Sequence, residues 1–168
     1  HAQIVHEDDF EKFGAYNIIP SIQSTHATSD MYWAGDRIGP ERMKGAYAYR
    51  RLLEANGWFP NGTDFPIENI SPIYTFYAAV VRKDLDGYPP DGFQPADALS
   101  REEALRSITI WAAMGGFEED EKGSIEPGKA ADMVITDRDL MFAMPNEIPG
   151  IKVLNTFING EMVYRAGD

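Results

Sequence analysis

The run Gly62-Thr63-Asp64-Phe65-Pro66 constrains this chain more than any other part of it. It follows the apolar pair Trp58-Phe59, and its glycine and proline force a tight turn around a single carboxylate. An acid fixed in this way stands at the C-terminal end of a strand, where the N-terminus of the next helix stabilises its anion. A fold organised around such a turn alternates strands and helices. The plainer alternative is an aspartate that hydrogen-bonds its own loop.

The flanking patterns extend this reading. Tyr16 to Gln23 is a short apolar run closed by polar residues and reads as a buried strand, followed by a polar loop from Ser24 to Gly39. Pro40 suits the first turn of a helix carrying Met43, Ala46, Tyr47, Arg50 and Leu53 on one stripe and stopped by Gly57. Trp58-Phe59 opens a second strand, cut short by Pro60, that ends at Asp64. Ser71-Pro72 starts a further helix with Ile73, Phe76, Tyr77, Val80 and Val81 facing inward. The stretch Asp86 to Pro95 holds three prolines and two glycines and reads as a long loop of lid or rim type. Ser100 and Glu103 have capping-box spacing, and their helix buries Ala104, Leu105, Ile108 and Trp111 before Gly115-Gly116 ends it. Beyond Gly123 the texture turns to strands. Ala131 to Thr136 is one, and Val153 to Ile158 with Glu161 to Tyr164 flank the hairpin dipeptide Asn159-Gly160. The expectation is an α/β unit over 1–122 and a small β appendage over 123–168.

Composition narrows the function classes. Fifteen basic and 27 acidic residues among 168 give a net charge of −12, a field that repels phosphate backbones and anionic lipid, so neither nucleic acid nor a membrane surface is an expected partner. No cysteine is present, which excludes disulfides and thiolate metal sites. That fits a cytoplasmic location, with the periplasm as the alternative. No apolar run is long enough to span a bilayer.

Four residues stand out as chemical candidates. Asp64 offers a fixed carboxylate. His26, just past the first strand, could ligate a metal or face a substrate carbonyl, or could simply bond loop backbone. His1 is a further imidazole at the start of an extended segment, whereas His6, inside His6-Glu7-Asp8-Asp9, reads as solvated. Arg37 could clamp a substrate carboxylate with its planar fork, or pair with Asp36 or Asp30. Tyr32, Trp33 and Phe65 could wall a pocket or merely pack. A first-residue histidine also offers an amine-and-imidazole copper site, a reading that the helices and the missing cysteines disfavour.

Taken in order, His1-Ala2-Gln3, Ser21-Ile22-Gln23-Ser24-Thr25-His26-Ala27-Thr28-Ser29-Asp30-Met31, Asp36-Arg37-Ile38-Gly39-Pro40-Glu41-Arg42, Gly62-Thr63-Asp64-Phe65-Pro66 and Gly123-Ser124-Ile125-Glu126-Pro127-Gly128-Lys129-Ala130-Ala131-Asp132 carry a family likeness. The chain resembles the C-terminal part of the amidohydrolase superfamily, and within it amidohydrolase family 3, the group that includes N-substituted formamide deformylases. The resemblance implies the last strands, about 6 to 8, of a (β/α)8 barrel followed by part of a small β-sandwich. It implies zinc or another divalent metal, one ion or two, at the C-terminal strand ends. By the family pattern His1 looks like a metal ligand ending strand 6. Asp64 looks like the strand 8 acid that touches metal and moves a proton. His26 falls after strand 7, where substrate contact is expected, and Arg37, from its side-chain chemistry, is the second substrate-binding candidate. The implied reaction is hydrolysis of a non-peptide C–N bond in a small amide-type substrate.

The family's remaining ligands would precede His1, so the expected partner is an N-terminal portion of the same enzyme, without which the chain would be inactive. Partial barrels leave unpaired strand edges, so the chain alone is expected to aggregate, swap domains or bind that portion. Homo-oligomerisation is a further expectation. The alternative is a non-catalytic structural or assembly module that holds no metal and is indifferent to Asp64.

Overall fold

A computed structural model of the chain describes residues 1–167. Seven α-helices come first: α1 (Phe10–Ala15), α2 (Thr25–Asp30), α3 (Ala34–Met43), α4 (Tyr49–Asn56), α5 (Pro72–Val81), α6 (Arg101–Ser107) and α7 (Ile110–Gly115). Three strands follow, β1 (Met133–Thr136), β2 (Val153–Ile158) and β3 (Glu161–Arg165), forming one antiparallel sheet in the order β1-β2-β3. Among the described residues no helix is long and apolar enough to cross a membrane.

Helices α4 and α5 sit at the centre of the core. Leu52 and Leu53 of α4 and Ile73, Phe76 and Tyr77 of α5 are buried with Ile22, Phe59 and Leu99. Pro72 occupies the first turn of α5, where its missing N–H leaves nothing unsatisfied. Gly57 closes α4 in the left-handed conformation (φ 83°), with its N–H donating to Leu53 O. The Ser100–Glu103 capping box forms with both reciprocal hydrogen bonds, and Glu103 also takes a two-pronged contact from Arg50 that ties α6 to α4. Asn159 (φ 50°) and Gly160 (φ 79°) both adopt positive φ in the β2–β3 turn, as a two-residue hairpin requires.

Other segments depart from the sequence reading. Tyr16 to Gln23 is not a strand. Tyr16 and Asn17 turn at the end of α1, and only Ile22 bridges, in parallel with Asn61. Pro20 and Pro60 carry no N–H and keep the pairing to that one point. Ser24 to Gly39 is helical rather than a loop. Ala27, Thr25 and Thr28 are buried, Thr28 Oγ1 bonds back to Thr25 O, and packing overrides the weak helix propensity of a polar run. The single helix expected from Pro40 to Gly57 is two. Gly39 (φ 76°, ψ 167°) kinks α3, the chain unwinds after Met43, and Tyr47 takes positive φ before α4 begins. Similarly, the helix expected up to Gly115 breaks at Ile108–Thr109 into α6 and α7.

These irregular joints position the site. Ala2 N donates to Ser21 O (2.8 Å), Ile22 N to Pro60 O (3.0 Å) and Gly62 N to Ile22 O (2.9 Å), so segments 1–3, 21–23 and 60–62 lie side by side. The first segment is locked from its other side, because Val5 N donates to Gly45 O (2.9 Å) and Tyr47 N to Gln3 O (2.7 Å). A Cβ at Gly45 would meet Val5 O at 1.9 Å, so only glycine allows this approach. Below, Arg82 is fully buried. Its Nε donates to Phe93 O (2.8 Å) and its Nη2 to Tyr47 O and Gln94 Oε1 (both 3.2 Å), with the guanidinium 4.9 Å from the Tyr49 ring centroid. Burial pulls its pKa below the ordinary arginine value. Arg82 thereby staples the 93–94 loop to the start of α4.

Candidate active site

Asn61 anchors the floor of the site. Its amide donates to Ser24 Oγ (2.6 Å), its Oδ1 accepts from Ser24 N (3.1 Å), and Ser24 Oγ donates to Thr75 O (3.1 Å), all inside the core. A buried amide satisfied in this way is rigid, and it fixes where α2 starts relative to the Asp64 turn. A second buried group fixes the far end of α2. Asp30 Oδ2 accepts from Gln3 Nε2 (2.6 Å) and from Tyr47 OH (2.8 Å). Burial pushes the Tyr47 phenol well above its usual pKa, so it remains a donor.

Above that floor three side chains converge. One ligand atom each from His1, His26 and Asp64 lies within 4.8 Å of the others, with His1 exposed, His26 buried and Asp64 intermediate. Asp64 has positive φ (60°), a conformation that aspartate tolerates better than most residues. Its carbonyl accepts from Ile67 N (2.8 Å) and Glu68 N (3.3 Å), closing a turn. Asp64 Oδ2 stands 2.9 Å from His26 Nε2, and Glu68 Oε1 lies 3.3 Å from the other ring nitrogen, Nδ1. Ser29 Oγ donates to Glu68 Oε1 (2.5 Å). His1 Nδ1 donates to Gln23 Oε1 (2.6 Å), which leaves Nε2 with its lone pair. The two imidazoles meet edge to face, with centroids 6.4 Å apart.

Two imidazoles and a carboxylate at this spacing form a donor set suited to a borderline divalent ion such as zinc. Of the side chains that the sequence singles out, the fold brings His1, His26 and Asp64 together, so that His26, expected to face substrate, stands with the other two. Arg37 does not join them. It is exposed on α3, and Asp30, one partner expected for it, is taken by Gln3 and Tyr47. His6 is exposed beside Asp8, as a solvated residue would be. Tyr32 donates to Asp84, which pushes its phenol pKa up to about 12, and it stacks on Tyr88. Phe65 is exposed next to Asp64. Sequence reasoning missed Glu68, assigned no role to Gln23 or Asn61, and offered Asp30 only as a partner for Arg37. The signal for Glu68 was its place four residues after Asp64 across a proline turn, too short a pattern to stand out.

Known proteins resemble this chain over most of its length. The Bacillus subtilis protein YtcJ is 29% identical over 164 residues, covering 98% of this chain and 31% of YtcJ. The N-substituted formamide deformylase of Arthrobacter pascens is 32% identical over 132 residues, 79% of this chain and 23% of that enzyme. Among solved structures, an uncharacterized metal-dependent hydrolase from Pyrococcus horikoshii superposes with a TM-score of 0.75 at 30% identity, over 86% of this chain and 29% of that one. The chain thus spans about three-tenths or less of the length of these relatives. The model of the amidohydrolase family matches residues 1–164, and the chain belongs to that family.

Proposed function

We propose that this chain forms the C-terminal part of a metal-dependent amidohydrolase that cleaves a non-peptide C–N bond in a small amide-type substrate. One observation carries the reading: side chains from three separate segments, His1, His26 and Asp64, bring ligand atoms within 4.8 Å of one another. The hydrogen-bonded segments 1–3, 21–23 and 60–62, with their single parallel bridge, support their assignment as the ends of adjacent strands in a (β/α)8 barrel.

A divalent ion, zinc being the best match to the donors, would be held by His1 Nε2, His26 and Asp64 and would supply Lewis acidity to water and to the substrate carbonyl. Asp64 does the proton work. A carboxylate oxygen of Asp64 takes a proton from the attacking water and later delivers it to the departing amine. Gln23 keeps the proton of His1 on Nδ1 and so keeps Nε2 free to ligate. Ligands from the rest of a longer polypeptide would complete the coordination. The net charge of −12 fits a small neutral or cationic substrate better than an anionic one.

The complete polypeptide should contain stoichiometric divalent metal by elemental analysis and hydrolyse N-substituted formamides or related small amides. Asp64→Asn should lower kcat by roughly 10²–10⁴-fold with folding unchanged. Full activity in that variant, or metal-free protein that turns over at the same rate, would overturn the proposal.

A further inference from the structure

Two side chains at the start of the chain reach two side chains of α2. His1 meets His26, with ring centroids 6.4 Å apart, and Gln3 Nε2 donates to Asp30 Oδ2 (2.6 Å). His26 and Asp30 are four residues apart on the helix, so they share a face and stand about 6 Å apart along its axis. His1 and Gln3 are two residues apart, a span of at most about 7 Å. The two spacings match, and fixing Gln3 against Asp30 sets His1 opposite His26.

Gln3 is held by its main chain as well as by its side chain. Tyr47 N donates to Gln3 O (2.7 Å), and the Tyr47 hydroxyl shares Asp30 Oδ2 with the Gln3 amide (2.8 Å). The contact continues past Gln3, where Ile4 bridges Ala46 and Val5 N donates to Gly45 O (2.9 Å). Tyr47 adopts positive φ (53°), which a bulky side chain resists, and its carbonyl accepts from the buried Arg82 (3.2 Å). Asp30 is buried, and among the described residues its carboxyl is satisfied by neutral donors alone. A buried carboxyl and a strained tyrosine both cost stability, and here they converge on one glutamine.

We infer that Asp30 and Tyr47 are positioning residues for His1: they clamp Gln3 by its main chain and its side chain, and so carry the His1 imidazole to His26 and Asp64. Both act through Gln3 rather than at the ligand atoms. That the clamped imidazole serves a metal ion rests on the hydrolytic reading above; the clamp itself does not.

The test uses the complete polypeptide, stripped of metal by chelation. Amide hydrogen exchange is followed first, then Zn²⁺ affinity by competition with a chromophoric chelator. Asp30→Ala should speed exchange at the Val5 and Tyr47 amides by about tenfold or more, leave the Leu52 amide of α4 unchanged, and weaken Zn²⁺ binding roughly 10–100-fold. Asp30→Asn keeps an acceptor oxygen and should return both values to near wild type. Tyr47→Phe removes one of the two donors and should move both values the same way by less; it carries the test if Asp30→Ala fails to fold. Phe76→Leu, which loosens the core away from the clamp, should lower the thermal midpoint without changing Zn²⁺ affinity. Wild-type exchange and affinity in a folded Asp30→Ala, an Asn variant no better than the Ala variant, or equal loss of Zn²⁺ in Phe76→Leu would each overturn the inference. Wild type that binds no Zn²⁺ would overturn the hydrolytic reading instead, while the exchange pattern would still decide the clamp.

Discussion

Phe76, Leu52 and Phe59 in the helical part have no exposed surface, whereas Val134 and Val163 in the sheet are 59% and 54% exposed. The helical part closes its apolar side chains around α4 and α5. The sheet carries apolar residues at adjacent positions, Val134-Ile135 and Met162-Val163-Tyr164, which point to opposite faces, so both faces show them to water. The contrast teaches where cohesion lies. Burial holds the helices and with them the site, while the sheet rests on its backbone ladder and a well-formed Asn-Gly turn.

That contrast can be broken or sharpened by substitution. The largest effect should come from Phe76→Ala, which removes a fully buried ring and should cost about 3–5 kcal/mol in chemical denaturation. Asn61→Ala should follow at about 1–3 kcal/mol, since it strands the Ser24 backbone N–H in the core. Hydrogen exchange at Ser24 should rise in that variant, and no change in exchange would contradict the role of Asn61 as the floor of the site.

The Arg50–Glu103 pair gives a smaller, pH-dependent effect. Arg50 holds the Glu103 carboxyl at about 2, against an ordinary 4.5. A depressed carboxyl contributes stability that is present above about pH 4.5 and is lost as pH falls toward 2. Glu103→Gln should therefore flatten the acid side of the stability profile between those values and leave it unchanged in slope at neutral pH. The smallest effect belongs to the sheet. Val163→Ser should change the stability of the 168-residue chain by less than about 0.5 kcal/mol. A cost of about 2 kcal/mol would show that this face is covered in solution, and the comparison would fail there.

Much of this was legible from local chemistry. Pro72, Gly57, the Ser100–Glu103 box and Asn159-Gly160 act within a few residues of themselves, and each appears where the sequence places it. The segments that misled are those whose conformation is set from a distance. Ile22 pairs at one point because its neighbours 1–3 and 60–62 reach it only briefly, and α2 is helical because α5 packs on it. At the site, Asp64 and His26 could be picked out because a tight turn announces the first and an apolar run closed by polar residues precedes the second. Glu68 could not, since its meaning depends on a curl of the chain that brings it back to Ser29 and His26, 39 and 42 residues earlier in sequence.

The positive φ of Asp64 has a practical consequence for anyone who wishes to silence this centre. Alanine there would combine two injuries, the missing carboxylate and a backbone conformation that a Cβ without a polar tip resists at a cost of roughly 1 kcal/mol. Asparagine is at home in that conformation and keeps an oxygen facing His26, so it subtracts charge alone. Disagreement between the two variants would measure how much of the apparent chemistry of Asp64 is in truth the shape of its turn.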